Sequence, residues 1–395
     1  MQREIKPDYY DSFSCIADKC SFTCCQEWKI AVDDETNKKW EKLNLSKATA
    51  FKEGCRVVQL NKYKKCPFLD DNRLCKLVSR YGDEVLSKTC AVFPRQLHTY
   101  ETEERKEYSL VSCCPAVVDI WNEKENIEFI GESQEKGKEG EESALFQIRG
   151  FIMNMLQEPD FSIPKTLMML FYIICGINKE TMEKGTRNKE AFKKEILYKE
   201  SQIREVIKKY TEAATIQELS DTIDAMKFSA LDTFDEGNEL FLDLVENYRK
   251  EGLYTKYLEE IAVLAEEFAD GYDMNTMEKQ LAEFEREFSF YEKLFRNYLV
   301  AEFFTNSVLP NSDVEGLVVM FQWIAMEYTT MKHAIFLRWI SEGKTKLDYL
   351  MVRDYIIVVS RMTGYEQEDI YEYLENSFQN LLWDWGYLAL IVGMN

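Results

Sequence analysis

The sequence predicts a mainly α protein in two unequal parts. A small, irregular α+β cysteine-rich domain spans residues 1–121, a charged linker spans 122–143, and a larger acidic all-helical domain spans 144–395. Three observations carry this division. Ten of the eleven cysteines lie between Cys15 and Cys114, leaving Cys175 alone beyond them. From Ala144 onward apolar residues recur at helical period: Leu145, Ile148, Ile152 and Met155 share one face, and Leu281, Phe284, Phe288, Tyr291, Phe295 and Tyr298 share another. Between the two parts, Gly131 to Gly140 is charged and nearly free of large apolar groups, as linkers are. A chain of 395 residues also exceeds what one hydrophobic core usually serves.

Taken in order, Asp33 to Leu45 reads as a helix capped by Asp33 or Asp34. Arg56 to Leu60 reads as a strand, and Cys66 to Leu77 as a hairpin turning at Asp70 to Asn72, which brings Cys66 near Cys75. Gly82 to Val92 reads as a helix with Cys90 in its last turn, stopped by Pro94. Gln96 to Tyr100 and Glu107 to Val111 can pair across an acidic turn, and Ala116 to Trp121 forms a short helix. Such a loop-rich unit is of the kind that metal holds together when its own core is too small. In the second part, Pro159, Pro164 and Pro310 stand at helix boundaries, and no fixed-period repeat is present.

Charge is distributed unevenly. Residues 1–121 carry 20 Lys and Arg against 19 Asp and Glu, so essentially all of the net charge of −21 lies beyond them. That argues against a nucleic-acid partner for the larger part and leaves either a solvated helical surface or one that attracts a lysine-bearing protein. The longest apolar run, Leu167 to Ile177, is too short for a bilayer span and reads as a buried helix. Met1 to Asp8 has no apolar signal core, so the expected location is the cytoplasm.

In a reducing compartment clustered thiols point to metal ligation before disulfides, and the odd cysteine count agrees. The spacing is C-x4-C-x3-C-C over Cys15, Cys20, Cys24 and Cys25, then Cys66, Cys75 and Cys90, then Cys113-Cys114. Zinc takes four thiolate or imidazole ligands and an iron–sulfur cluster four cysteines, so nine thiols serve two sites with one to spare. In an extended strand, adjacent cysteines point to opposite faces, so Cys24 and Cys25 either serve separate centres or one of them packs. His98 and His333 are the two histidines, which largely excludes mixed His and Cys zinc sites; His98 reads as a surface or hydrogen-bonded residue and His333 as core. Cys55 and Cys175 read as structural thiols. Arg95 is the candidate functional side chain outside the thiols: a guanidinium near thiolates tunes them or holds a carboxylate, with a surface ion pair as the alternative.

Cys15 to Cys25, Cys66-Pro67-Phe68-Leu69 with Cys75, Cys90 to Arg95 and Cys113-Cys114-Pro115 resemble the cysteine pattern of the flagellin lysine N-methylase family. More loosely they resemble proteins with a CxxCxxCC zinc- or iron-chelating domain, whose C-x2-C-x2-C-C spacing differs from that here. The resemblance covers residues 8–118 and continues at Arg296-Asn297-Tyr298-Leu299-Val300 and Phe303 to Pro310. It implies methyl transfer from S-adenosylmethionine to lysine amines of flagellin. It also implies a cysteine-held centre, a 4Fe-4S iron–sulfur cluster or zinc. Asn297 and Tyr298 become catalytic candidates on this ground, with helix packing as the other reading.

Neither familiar S-adenosylmethionine site is present. No G-x-G follows a strand, as a doubly wound methyltransferase requires. Cys20-x3-Cys24 is followed by Glu27 where a radical-type motif has its third cysteine. The cofactor pocket must then belong to the helical domain or to its junction with the cysteine domain. The competing expectation is a non-enzymatic module, its first part stapled by zinc or iron and its acidic helices binding a protein.

Overall fold

The computed structural model of the chain describes residues 3–52, 54–131, 144–183, 200–364, 367–378 and 383–393. The N-terminal part holds β1 (Arg3–Pro7), α1 (Asp34–Lys42), β2 (Thr49–Lys52), β3 (Cys55–Val58), α2 (Lys76–Tyr81), α3 (Lys88–Val92), β4 (Arg95–Tyr100), β5 (Arg105–Leu110), α4 (Pro115–Glu123) and β6 (Phe129–Ile130). Helices then follow one another: α5 (Ala144–Gln157), α6 (Ile163–Glu183), α7 (Glu200–Tyr210), α8 (Ala213–Asp224), α9 (Ala230–Lys250), α10 (Thr255–Asp270), α11 (Met274–Phe288), α12 (Glu292–Asn306), α13 (Val314–Ser341), α14 (Tyr349–Thr363), α15 (Gln367–Phe378) and α16 (Trp385–Val392). The fold is therefore mainly α, with a small α+β part first, as the sequence predicts.

Local chemistry sets the small elements. Asp33 accepts from Thr36 N at 3.0 Å and starts α1. Ser87 accepts from Cys90 N at 3.2 Å and starts α3. The single helix expected over 82–92 is consequently split: Gly82, at φ +86°, ends α2, and a 3-10 turn at Asp83–Val85 precedes Ser87. The hairpin expected over 66–77 reduces to one bridge, Leu69 to Cys75, because Lys76 already begins α2. β4 and β5 pair antiparallel, with Gln96 opposite Ser109 and Tyr100 opposite Arg105. Their sheet has the order β4-β5-β1-β6, β1 lying parallel to β5. Residues 122–131, expected as the start of the linker, complete α4 and form β6, which pairs with β1; residues 132–143 lie outside the described residues.

The helical body is arranged around α13. This helix is about 42 Å long at 1.5 Å per residue and is buried almost all round. It packs against α6, α9, α10, α12, α14 and α16. One apolar core runs from Ile5 in β1 through Val117 and Trp121 in α4 to Phe321 in α13 and Val392 in α16, crossing the boundary between the parts. A second, smaller cluster of Ile30, Val32, Trp40, Val58, Cys66, Leu77 and Val85 lies under the thiol-bearing loops, where Trp40 donates to Val85 O at 2.7 Å. No helix among the described residues is long and apolar enough to cross a membrane.

Candidate functional site

Three chain segments bring the thiols toward one another. The backbone after Cys25 pairs with that before Cys66: Cys66 N donates to Cys25 O at 2.7 Å, and Gln26 bridges Lys65. The Cys66 to Cys75 loop closes through Lys76 N to Phe68 O at 2.8 Å and Leu74 N to the Asp70 carboxylate at 2.8 Å. Cys113 and Cys114 follow β5, and Pro115 opens α4 immediately after them.

Two thiol neighbourhoods result. Cys25, Cys75 and Cys90 act electrostatically on Cys66, Cys25 and Cys75 act on Cys90, and Cys25 and Cys90 act on Cys24. Cys15, Cys20 and Cys114 form the second, with Cys113 beside Cys114. Residues 24–25 form a turn rather than an extended strand, so the opposite-face argument does not govern them. Cys24 keeps its proton and shares it with Cys25, whose thiol is pulled below its usual range by that hydrogen bond. Burial pushes Cys66 and Cys113 up to about 12 and Cys114 up to about 11.

All eleven cysteines are free thiols. The donor chemistry thus fits a thiolate-ligated centre in kind, since a bound cation would reverse the burial effect and favour the thiolates. The placement does not close a site. Among the described residues no group of three or more His, Cys, Asp or Glu side chains is arranged to hold a metal ion.

Cations and carboxylates from the helical body hold these segments. Arg361 in α14 is 8% exposed; it donates to Phe22 O at 3.1 Å and to Thr23 O and Cys113 O at 3.3 Å. Burial raises the pKa of the Cys20 and Cys113 thiols, and the hydrogen bond to Cys25 together with burial raises that of Cys24; the charge of Arg361 opposes each rise, and it adds to the lowering of Cys25 that the Cys24 hydrogen bond causes. Arg353 pairs with Asp119 of α4 at 3.2 Å and donates to Ser21 Oγ, while Tyr349 donates to Asp119 at 2.6 Å. Glu27, two residues past Cys25, accepts from Tyr254 N at 2.8 Å, and Tyr254 Oη donates back to Glu27 O at 2.6 Å.

Of the non-cysteine candidates, Arg95 is exposed and stacks over Phe13 and Tyr10 at 5.1 and 5.9 Å. Arg361 is the cation that acts on several of the thiols, and Arg73, which donates to Ser21 O at 3.0 Å, also acts on Cys20. Asn297 is buried and donates to Trp121 O at 2.9 Å and Lys124 O at 3.0 Å, which ties the end of α4 to α12. Tyr298 is fully buried and donates to Glu327 at 3.3 Å. Glu327 and Glu302 are buried carboxyls; burial pushes the pKa of each up, and for Glu327 the charge of Glu302 adds to the effect. His98 is half-buried, 2.9 Å from Gln96 Nε2.

Arg361, Arg353, Glu302 and Glu327 are not anticipated from the sequence, and Glu27 is noted there only as the residue standing where a third cysteine would be. All but Glu27 had a signal available, a charge inside an apolar helical run, as in Tyr355-Ile356-Ile357-Val358-Val359-Ser360-Arg361. Such charges are almost never buried unless something pairs with them.

The family model of the FliB lysine N-methylase C-terminal domain matches residues 149–391. The lysine-N-methylase of Salmonella choleraesuis is 35% identical over 127 residues, 28% of this chain and 30% of that protein. That of Salmonella typhimurium strain LT2 matches to the same extent. The flagellar biosynthetic protein FliU of Salmonella muenchen is 34% identical over 124 residues, 28% of this chain and 72% of that protein. The match thus spans about 30% of the two lysine-N-methylases. No solved structure matches the chain.

Proposed function

The chain belongs to the lysine N-methylase family defined by the FliB C-terminal domain, and from that premise we propose that it is a protein-lysine N-methyltransferase. The single observation carrying this reading is the family match over residues 149–391, which includes Arg353 and Arg361, whose guanidiniums hold the cysteine-bearing segments, and Asn297, which ties down the end of α4. The proposed methyl donor is S-adenosylmethionine and the proposed protein substrate flagellin, the latter supported by the flagellar name of the FliU relative. The proposed location is the cytoplasm, where eleven free thiols remain reduced.

The cysteine neighbourhoods are proposed to hold a thiolate-ligated centre, an iron–sulfur cluster or zinc, with Cys25, Cys66, Cys75 and Cys90 as one donor set and Cys15, Cys20, Cys113 and Cys114 as the other. When bound, zinc supplies a staple for these loops, and an iron–sulfur cluster supplies one-electron chemistry. The chain's own residues do the remaining work. Arg361 and Glu27 fix the thiol-bearing backbone to the helical body, and Arg361 favours the thiolate form.

A lysine amine must be neutral to accept a methyl group. With a reference pKa of about 10.4, deprotonation at pH 7 costs roughly 4.6 kcal/mol. The acidic surface recruits a basic substrate but stabilises the ammonium, so the transfer itself calls for a dry site.

The test is incubation of anaerobically purified protein with flagellin and S-adenosylmethionine, read by mass spectrometry. Methyl-lysine is expected. A preparation with full metal and sulfide content that leaves flagellin unmodified excludes the reading.

A further inference from the structure

A cleft between α9, α11, α13 and α16 has no role in the site above. It holds about 50 Å³ of free space behind an open mouth and is lined by Phe234, Phe284, Phe336, Glu285, Lys332 and His333. All six lie within the residues that match the family model.

Hydrogen bonds set the polar side of the cleft. Asn238 Nδ2 donates to Ala265 O at 2.9 Å, which fixes Asn238 Oδ1 as an acceptor. His333 Nε2 lies 3.1 Å from that Oδ1 and therefore carries the ring proton. Nδ1 is then left as a lone-pair acceptor. Burial pushes the His333 pKa down to about 3, so the ring is neutral at physiological pH. Gly237 faces it from α9, and a Cβ there would stand 3.2 Å from Nδ1. Glycine inside a helix costs about 1 kcal/mol relative to alanine, and here it leaves room beside that nitrogen. The wall's cation is already paired: Lys332 meets Glu285 at 2.6 Å.

We propose that this cleft receives the side chain of the lysine to be methylated, its methylenes against Phe234, Phe284 and Phe336 and its amine donating to His333 Nδ1. The inference rests on the methyltransferase reading and assigns that reading's substrate pocket. The free space is narrow, suited to the end of a linear chain rather than a fused purine. Phenyl walls, a neutral acceptor and an ion pair that cancels itself all favour the uncharged amine, which an acidic surface does not. An amine that donates N–H to Nδ1 keeps its own lone pair for the sulfonium methyl carbon. The N–C bond forms as the C–S bond breaks, the bonding pair leaves on sulfur, and the product ammonium returns one proton to solvent.

The chain has two histidines, so a 15N-histidine-labelled sample of the full chain gives two ring systems, which a His98→Asn variant assigns. Titration with Nα-acetyl-lysine methylamide is expected to shift the His333 Nδ1 resonance by several ppm and to saturate. The norleucine analogue, with the same four-carbon chain but without the amine, leaves it in place. Gly237→Ala weakens the response at least tenfold; if it does not fold, Phe284→Leu is expected to do the same. No shift, an equal shift with the norleucine analogue, or a shift with adenosine in place of lysine overturns the assignment. Flagellin methylation measured on the same sample separates the two claims. Activity without the shift removes the cleft and leaves the methyltransferase, whereas the shift without activity removes the methyltransferase and leaves an amine site.

Discussion

Glu327 is a carboxyl near the middle of α13, a helix buried almost all round, hydrogen-bonded by Tyr298 and within reach of the charge of Glu302. Two buried carboxyls this close do not both ionise cheaply, and they titrate as a pair. Burial raises the folded pKa of Glu327 well above its ordinary value, with the charge of Glu302 as the next cause. The folded state therefore holds the proton more tightly than the unfolded state. No penalty exists below the unfolded value of about 4.3, and stability falls as pH rises from there toward the folded value. Glu327→Gln keeps a hydrogen-bonding group of the same shape and removes the titration. Thermal unfolding of the variant is expected to match the parent near pH 4 and to exceed it at pH 8; equal pH slopes in the two proteins defeat this account.

At the scale of elements, Asp33 joins two pieces of the thiol-bearing region. It caps α1 through Thr36 N and accepts from Lys88 N at 2.9 Å, at the start of the helix that carries Cys90. Partial burial opposes its ionised form, but the backbone N–H groups of Lys88 and Thr36 outweigh that and hold its pKa down at about 2. A depressed carboxyl contributes stability above its unfolded pKa of about 3.9 and loses it as pH falls through about 2. Asp33→Ala is expected to cost roughly 1–2 kcal/mol at pH 7 by urea unfolding, with the difference gone near pH 2; a deficit that persists there excludes the cap as its cause. This cap was legible because capping is written into adjacent residues, as was the β4–β5 pairing across its acidic turn. β1 was not legible. Its partner β5 lies a hundred residues away, and five residues with a proline at the end carry no local sign of a parallel neighbour. The split of the helix over 82–92 was missed for a smaller reason, since Ser87 offers a new N-cap that competes with helix continuation. Within the site, the thiol segments were legible from spacing. The clamps were not, because Arg361 meets Phe22, Thr23 and Cys113 through their carbonyls, which any residue type can supply.

Across the whole molecule, the two-part division of the sequence meets a core that is not divided. Ile5, Val117 and Trp121 belong to the same apolar cluster as Phe295, Phe321 and Val392. Polar ties run across the same boundary. The buried Glu107 of β5 pairs with Arg149 of α5 at 1% exposure of each side chain, and Arg149 also donates to Phe304 O at 3.0 Å. Tyr100 of β4 donates to Val308 O at 2.6 Å, and Asn297 closes the end of α4. Cutting between the parts would strand Glu107 beside Arg105 without its second guanidinium, expose Val117 and Trp121, and leave carbonyls at residues 121 and 124 unpaired. An unpaired buried donor or acceptor costs about 1–3 kcal/mol, more when charged, so several at once rival the whole stability of an ordinary domain. The cysteine part is therefore expected to fold only with the helical body. Calorimetry of the full chain should give one transition, its calorimetric enthalpy equal to its van't Hoff enthalpy, and residues 1–131 alone should lack a cooperative melt with or without added zinc. Two resolved transitions in the full chain, or a sharp melt of the fragment, would show that the sulfur-bearing part stands independently and that the clamps from α12 and α14 are dispensable to it.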